Sequence, residues 1–243
     1  MNPYASIAYA AALSVAPLTA GASPIRTGGP AEGSAAYHQP RANDGPVGLT
    51  KFSVRSLGTE QAIAQLGVAL GVGHVAGWFA GAANSAVDLD FVHNALPAGS
   101  VVKTARRAQC TNRCNVGIVA PKKGSVVVLT GFVFDTKDGA AVPVQEIAVE
   151  PDPARGIVRF TMAGQGDIDF DALLQYAVVP AAGVAGRKAV TKSKTSPNGQ
   201  RRTKLLFPEF SSAAGAPLLS GFSLEFSAGS NNLHTLAISL IRD

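Results

Sequence analysis

GSVVVLTGFVFD occupies residues 124–135, and a closely similar stretch, GAPLLSGFSLEF, occupies residues 215–226. When Gly131-Phe132 is aligned with Gly221-Phe222, the agreement continues on both sides, and QEIAV (145–149) falls on HTLAI (234–238). The first stretch is an apolar run bounded by Gly and Asp, and the second alternates apolar and polar residues from Phe222 to Phe226; both patterns are typical of β-strands. The pattern therefore predicts one β-rich unit used twice, with the second copy cut short at Asp243.

Composition favours short strands over long solvated helices. Charged residues make up only 15% of the chain, whereas it contains 26 glycines and 15 prolines, which are residues of turns. The formal net charge of +5 permits an anionic partner without identifying it. We expect a mainly β chain, an antiparallel β-sandwich with an internal duplication.

The chain divides into five segments by pattern. Residues 1–50 are rich in Ala, Gly, Pro and Ser, and we expect an extended N-terminal arm that makes few contacts with its own sandwich and is ordered by neighbouring subunits. A mixed apolar segment (51–98), a β-sandwich unit (99–183), a basic linker (184–204) and a second, partial β unit (205–243) follow.

An uncharged apolar stretch lies within the second segment. Residues 62–83 are long enough to cross a bilayer as a helix, but Gln65 and His74 interrupt them and small residues make them weakly hydrophobic. We therefore expect a close-packed segment, either a small helix or a buried hairpin, and regard a membrane as an unlikely partner.

Strand patterns in both copies resemble the H-type lectin-like β-sandwich. The first copy reads IVAP, then VVVLTGFVFD, VQEIAVEPDPARGIVRFTMAG and DALLQYAVVP, and the second opens with LLFPEF (205–210). The resemblance covers roughly residues 112–180 and 203–243. It implies a sandwich fold, of the kind found in phage and virion structural proteins, and a tendency to oligomerise, but it transfers no ligand-binding residue to this chain.

The sequence contains no recognisable catalytic, cofactor or metal motif. None of its four histidines lies beside a nucleophile elbow, and phosphate-loop and zinc-protease motifs are missing. Asp167, Asp169 and Asp171 alternate, but the chain lacks the turn glycine and later glutamate of a calcium loop, so we expect a solvated turn. Cys110 and Cys114 leave three alternatives open: a local disulfide, two free thiols, or links to neighbouring chains.

Two groups of polar residues remain as candidate binding sites. The first, Asn231, Asn232 and His234, is a candidate ligand loop, although a turn explains the same residues without a ligand and is the favoured interpretation. The second is a candidate polyanion site in the basic linker, where no acidic residue intervenes: Arg187, Lys188, Lys192, Lys194, Arg201, Arg202 and Lys204. A further basic group surrounds the cysteines: Lys103, Arg106, Arg107 and Arg113.

Three classes of function compete on this evidence. The first is a non-enzymatic structural assembly protein without a cofactor, most simply a virion coat, tail or baseplate subunit that binds copies of itself, other subunits and a polyanion such as nucleic acid or an anionic glycan. The second is a secreted or cell-surface carbohydrate-binding lectin-like module. The third is a membrane-associated protein anchored by residues 62–83. The long arm, the low charge and the repeated unit favour the first class, with the virion as its location.

Overall fold

The computed structural model describes residues 6–14, 25–31, 36–40, 46–56, 62–71, 74–81, 87–180, 189–195, 217–226 and 235–239. In chain order the strands are β1 (Ser6–Ser14), β2 (Ile25–Ala31), β3 (Ala36–Pro40), β4 (Val47–Ser56), β5 (Ile63–Gly71), β6 (His74–Gly81), β7 (Val87–Ala95), β8 (Val101–Thr111), β9 (Arg113–Gly117), β10 (Val126–Thr136), β11 (Glu146–Asp152), β12 (Ile157–Ala163), β13 (Asp169–Val179), β14 (Ala189–Thr195), β15 (Pro217–Phe226) and β16 (Thr235–Ser239). One 3₁₀ turn, Lys137–Gly139, follows β10.

The strands form two antiparallel sheets. The larger has twelve strands in the order β14-β1-β15-β11-β12-β9-β8-β13-β10-β5-β6-β3, and the smaller has four in the order β16-β4-β7-β2. A single residue pair, Thr111 with Arg113, joins β8 to β9. Because β8 and β9 share only this pair, the larger sheet consists of two halves of six strands each, which meet between these two strands. The prediction of a mainly β, antiparallel sandwich is confirmed.

The two copies recognised in the sequence form equivalent strands, and a third copy is present. β10 contains LTGF at 129–132, β15 contains LSGF at 219–222, and β4 contains LTKF at 49–52. Each of these three strands contacts the other two. The chain therefore repeats its unit three times, and the sequence analysis recognised only two copies.

Strand pairing follows the same rule in all three units. β4 pairs with β7, β10 with β13, and β15 with β1. Each unit also lends one strand to the next: β5 pairs with β10, β11 with β15, and β16 with β4. The three units thus interlock in a closed ring around an approximate threefold axis, and the small sheet and each half of the larger sheet contain strands of two units.

The core lies where the three repeated strands meet. The ring of Phe132 lies 5.1 Å from that of Phe52 and 5.0 Å from that of Phe222, both in edge-to-face geometry. All three side chains are fully buried. Burial of one such ring contributes about 1.5–3 kcal/mol, and edge-to-face pairs add about 0.5–1.5 kcal/mol each. The repeated phenylalanine therefore holds the three units together.

A second aromatic layer extends this core inside the middle unit, which consists of β8 to β13. Phe134 contacts Phe160 of β12 at 5.1 Å and Phe170 of β13 at 5.5 Å between ring centroids. All three side chains are buried, and they lie on the same cluster as Phe132. The core is thus continuous from the threefold axis into the sandwich of the middle unit.

The apolar stretch at 62–83 is a hairpin. Its strands β5 and β6 pair from Ile63–Gly81 to Gly71–His74, and Ile63, Leu66 and Val68 are buried in the core. The buried-hairpin alternative is confirmed and the helix alternative is wrong. Gly67 explains part of this result, because a Cβ there would collide with the backbone of Phe132 on the neighbouring strand. A helix would leave that close approach unused.

Strands from the first fifty residues pair with the rest of the chain. β1 lies between β14 and β15, β2 pairs with β7, and β3 pairs with β6. The prediction of few contacts between this region and its own sandwich is wrong for these strands. The segment itself buries little apolar area, which is why its composition predicts an arm. The backbone N–H and C=O groups of these strands are instead paired by hydrogen bonds to strands distant in the sequence.

The basic linker also contributes a strand. β14 lies within residues 184–204 and pairs with β1 from Ala189–Leu13 to Thr195–Ile7. Its sequence AVTKSKT alternates in the manner of a sheet edge, where lysines discourage pairing with foreign strands. Part of the predicted linker is therefore the outermost strand of the third unit.

Candidate functional site

The positions of the predicted polyanion residues are described only in part. Lys192 and Lys194 lie on β14, opposite Ala10 and Ala8 of β1. The other members of the group lie outside the described residues: Arg187, Lys188, Arg201, Arg202 and Lys204. The candidate ligand loop formed by Asn231, Asn232 and His234 also lies outside them.

The second basic group occupies β8, an outer strand of the middle unit, and the first residue of β9. Arg106 and Arg107 on β8 are exposed, as is Arg113 on β9, and Lys103 is partly exposed. β8 takes the same place in its unit as β14 does in the third, since each is the outer neighbour of the strand that pairs with an LTGF-type strand. Basic residues thus recur at equivalent sheet edges, which concentrates positive charge there.

Acidic neighbours neutralise part of this charge. Arg106 lies 3.4 Å from the carboxylate of Asp171, and Arg113 lies 2.8 Å from that of Glu146. Both arginine side chains are more than half exposed, so water screens each pair and its contribution to stability is small, about 0–1 kcal/mol. Arg107, which is also exposed, is in neither of these ion pairs.

Cys110 and Cys114 form a disulfide across the tight connection between β8 and β9, with Cα atoms 5.2 Å apart. Two residues of this connection, Gln109 and Asn112, have positive φ values of 58° and 55°. Such conformations are costly for residues other than glycine and persist when the surrounding structure enforces them. The disulfide is one element that holds the connection in this shape.

The three alternating aspartates supply the other restraint. Thr111 Oγ1 donates to Asp169 at 2.6 Å, Asn112 Nδ2 donates to Asp167 at 2.8 Å, and the backbone N–H of Gln109 donates to Asp171 at 3.0 Å. Within the described part of the chain, no group of three or more His, Cys, Asp and Glu side chains could hold a metal ion. These carboxylates therefore fix the disulfide hairpin, and Asp169 and Asp171 belong to β13.

Within the described residues, Glu150 is a carboxyl whose pKa is clearly shifted. Burial raises the pKa of this carboxyl above its ordinary value, Arg159 opposes the change, and Glu146 adds to it. Glu150 lies directly opposite Arg159 in the pairing of β11 with β12. The side chain is therefore held in a place where its charged form is disfavoured.

Exposed apolar side chains gather near the start of β8. The large apolar side chains that are exposed in the described part of the chain are Val101, Val102 and Val119, whose exposed fractions are 52%, 42% and 55%. The backbone N–H of Val119 donates to Tyr176 Oη at 3.0 Å, and Tyr176 lies opposite Lys103 on β8. Val101 and Val102 therefore lie at the start of β8, just before Lys103, and Tyr176 connects the backbone of Val119 to β13, the strand beside β8.

Comparison of the chain with protein-family models, with curated proteins and with solved structures gives no match. No helix in the described ranges is long and apolar enough to cross a membrane.

Sequence reasoning missed the two features that the ring creates. One is the third LTGF-type strand, β4, which was readable as LTKF at 49–52 once the other two were aligned. The other is the pairing of β16, a strand of the third unit, with β4 in the small sheet, for which the sequence carries no local signal.

Proposed function

We propose that the protein is a non-enzymatic structural subunit of a larger assembly, a virion coat, tail or baseplate component. The observation that supports this role is the ring of three interlocked units, in which each unit lends a strand to the next. One chain thereby presents a nearly threefold body whose units cannot separate without breaking strand pairs. Such a body suits a mechanical building block.

The exposed valines offer a contact surface for neighbouring subunits. Val101 and Val119 are exposed residues of the middle unit, and Lys103 follows Val101 on β8. Exposed apolar side chains with polar neighbours are found at protein–protein contacts. We expect these valines to pack against another subunit, because burying two half-exposed valines favours association.

The test is the mass of the purified chain by light scattering over a wide concentration range, with electron microscopy of any particle. The wild type should form a discrete higher-order species. Changing Val101 and Val119 together to aspartate should lower that mass, whereas the matched control Thr104→Asp, at another exposed position of β8, should not. A wild type that stays monomeric throughout, or a double variant that assembles normally, would contradict the proposal.

A lectin-like module is the second candidate. It rests on the resemblance described above, of which VVVLTGFVFD, VQEIAVEPDPARGIVRFTMAG and DALLQYAVVP correspond to β10 to β13, whereas IVAP lies after the end of β9. A glycan array separates the two roles. Specific glycan binding by a chain that remains monomeric would favour the lectin-like module over the assembly subunit.

A further inference from the structure

The strand β1 completes the third unit from the opposite half of the sequence. It is paired on both edges, with β14 from Ile7 to Leu13 and with β15 from Ser6 to Ser14. The next strand along the chain, β2, lies in the other sheet, where it pairs with β7 of the first unit. The chain therefore passes from the third unit to the first between β1 and β2, through residues 15–24.

The counterparts of β1 in the other units, β7 and β13, are connected differently. β7 is the last strand of the first unit, β2 to β7, and β13 is the last strand of the middle unit, β8 to β13. Each follows the preceding strand of its own unit after five residues, 82–86 and 164–168. By contrast, all the strands of the other two units separate β1 from the rest of the third unit, β14 to β16. Strand pairing, rather than a short connection, therefore holds β1 in its place.

A β1 strand from a second copy of the chain would form the same pairs. Ala10 would again lie opposite Lys192 and Phe222, because both copies have the same sequence. The closed chain and the exchanged one thus contain the same strand pairs, so their balance depends on protein concentration and on the connection to β2. A connection of ten residues reaches at most about 36 Å, which limits the exchange to molecules that touch. The subunits of an assembly meet this condition.

We infer that β1 is an exchangeable strand, which in the assembly inserts between β14 and β15 of a neighbouring copy and completes that copy's third unit. Backbone hydrogen bonds supply the affinity in this mode of recognition. Because the inserted strand and the place that receives it are different parts of the molecule, successive exchanges join copies head to tail. The inference rests on the assembly role proposed above and specifies how a neighbouring subunit is held.

The experiment uses two single-cysteine variants of the full chain, Ala11→Cys on β1 and Thr191→Cys on β14. These positions lie opposite each other, and opposed residues of antiparallel strands have Cα atoms about 4.5–5.5 Å apart. The two variants carry different affinity tags and are produced together in one cell. A short bifunctional thiol reagent then joins the introduced thiols, because the chain's own two cysteines are bound to each other. Purification through both tags in denaturant isolates covalent pairs of different chains.

The matched control is Gln175→Cys on β13 with Thr104→Cys on β8, which lie opposite each other at the equivalent place of the middle unit. Gln175 lies opposite Gly131, just as Ala11 lies opposite Gly221. A further chain carries the β1 and β14 cysteines together, and successive exchange should convert it into covalent multimers of more than two chains. Circular dichroism checks that all variants are folded.

The cysteines on β1 and β14 should give covalent pairs of different chains in severalfold higher yield than those on β13 and β8. Equal yields would overturn the exchange, as would a double-cysteine chain that is joined within itself and forms no multimers. A wild type that assembles while the two yields are equal contradicts this inference alone. A raised yield confined to pairs of chains, without larger particles, contradicts the assembly role and leaves the exchange of β1 standing.

Discussion

At the scale of single residues, a hydroxyl side chain interrupts the pairing of each LTGF-type strand. The register shifts at Thr50 in β4, at Thr130 in β10 and at Ser220 in β15. All three residues are buried. A bulge of this kind bends its strand and increases the local twist. In each unit the bulge lies two residues before the phenylalanine whose ring is buried in the central core.

The three central phenylalanines should be equally important for stability. Replacement of Phe52, Phe132 or Phe222 by alanine is expected to lower the free energy of unfolding by about 3–5 kcal/mol each, since each leaves a cavity in a closed core. Urea denaturation of the three variants measures this. The exposed control Thr104→Ala should change stability by less than about 0.5 kcal/mol. If one phenylalanine variant matched wild type, its unit would not share the common core.

Glu150→Gln should make stability less dependent on pH. Because burial raises the pKa of Glu150 in the folded state, the folded chain holds this proton more tightly than the unfolded chain. The free energy of unfolding therefore falls as pH rises from the ordinary carboxyl pKa through the raised one, and the charged side chain costs stability at neutral pH. The glutamine variant should melt at a higher temperature than wild type at pH 7.

The same variant should melt close to wild type in acid, below the ordinary carboxyl pKa, where Glu150 is protonated in both states. Asp135→Asn is the control, because it removes a carboxylate that is exposed on β10 and should give no gain at pH 7. An advantage of Glu150→Gln that is equally large in acid would show that a change in packing, rather than charge, causes it.

At the scale of elements, β1 closes the ring. It takes the place beside β15 that β7 takes beside β4 and that β13 takes beside β10. The third unit is therefore assembled from both halves of the chain, with β14, β15 and β16 late in the sequence and β1 near its start. Joining distant strands makes each of them depend on the others.

A proline in β1 should consequently destabilise the whole protein. Ala10 lies opposite Lys192 on one side and Phe222 on the other, so proline at this position removes a ladder hydrogen bond in a strand paired on both edges. We expect Ala10→Pro to lower the free energy of unfolding by more than about 2 kcal/mol.

Chemical denaturation measures this effect, and deletion of residues 1–5, which precede the strand, is the control. Wild-type stability of Ala10→Pro would mean that the ring does not need β1. The same result would restore the interpretation of residues 1–50 as an arm.

At the scale of the whole molecule, basic residues recur on outer strands. Within the described residues, β2, β8 and β14 each form one edge of a sheet or half-sheet, and each carries at least one basic residue. Positive sheet edges discourage uncontrolled edge pairing and also attract anionic polymers. The net charge of +5 is consistent with both effects.

Replacing Arg201 and Arg202 by alanine should weaken binding to a polyanion without changing the fold. If both side chains contact phosphate or sulfate groups, the slope of log affinity against log salt should flatten by about one to two units, since each contact contributes roughly 0.7–0.9. Salt titrations against heparin and single-stranded DNA measure this slope. Lys122→Ala with Lys123→Ala gives an equal loss of charge in the loop before β10 as the control. Identical slopes for wild type and the Arg201/Arg202 variant would leave this segment as a solvated connection.

The strands themselves were largely predictable from the sequence. Apolar runs bounded by Gly, Pro or Asp correctly indicated β10 to β13, because this signal is local and each strand carries its own. The duplication was visible because Gly131-Phe132 and Gly221-Phe222 match letter for letter. The third copy escaped notice because Lys51 replaces that glycine.

Tertiary structure alone decided which strands are neighbours. Nothing near Ser6–Ser14 indicates that it pairs with β14 and β15, because these partners lie at the opposite end of the chain and strand pairing leaves no mark on local composition. The sequence determined the strands, their repetition and the phenylalanine each one buries. The closed ring arises from long-range backbone hydrogen bonds that only the folded chain forms.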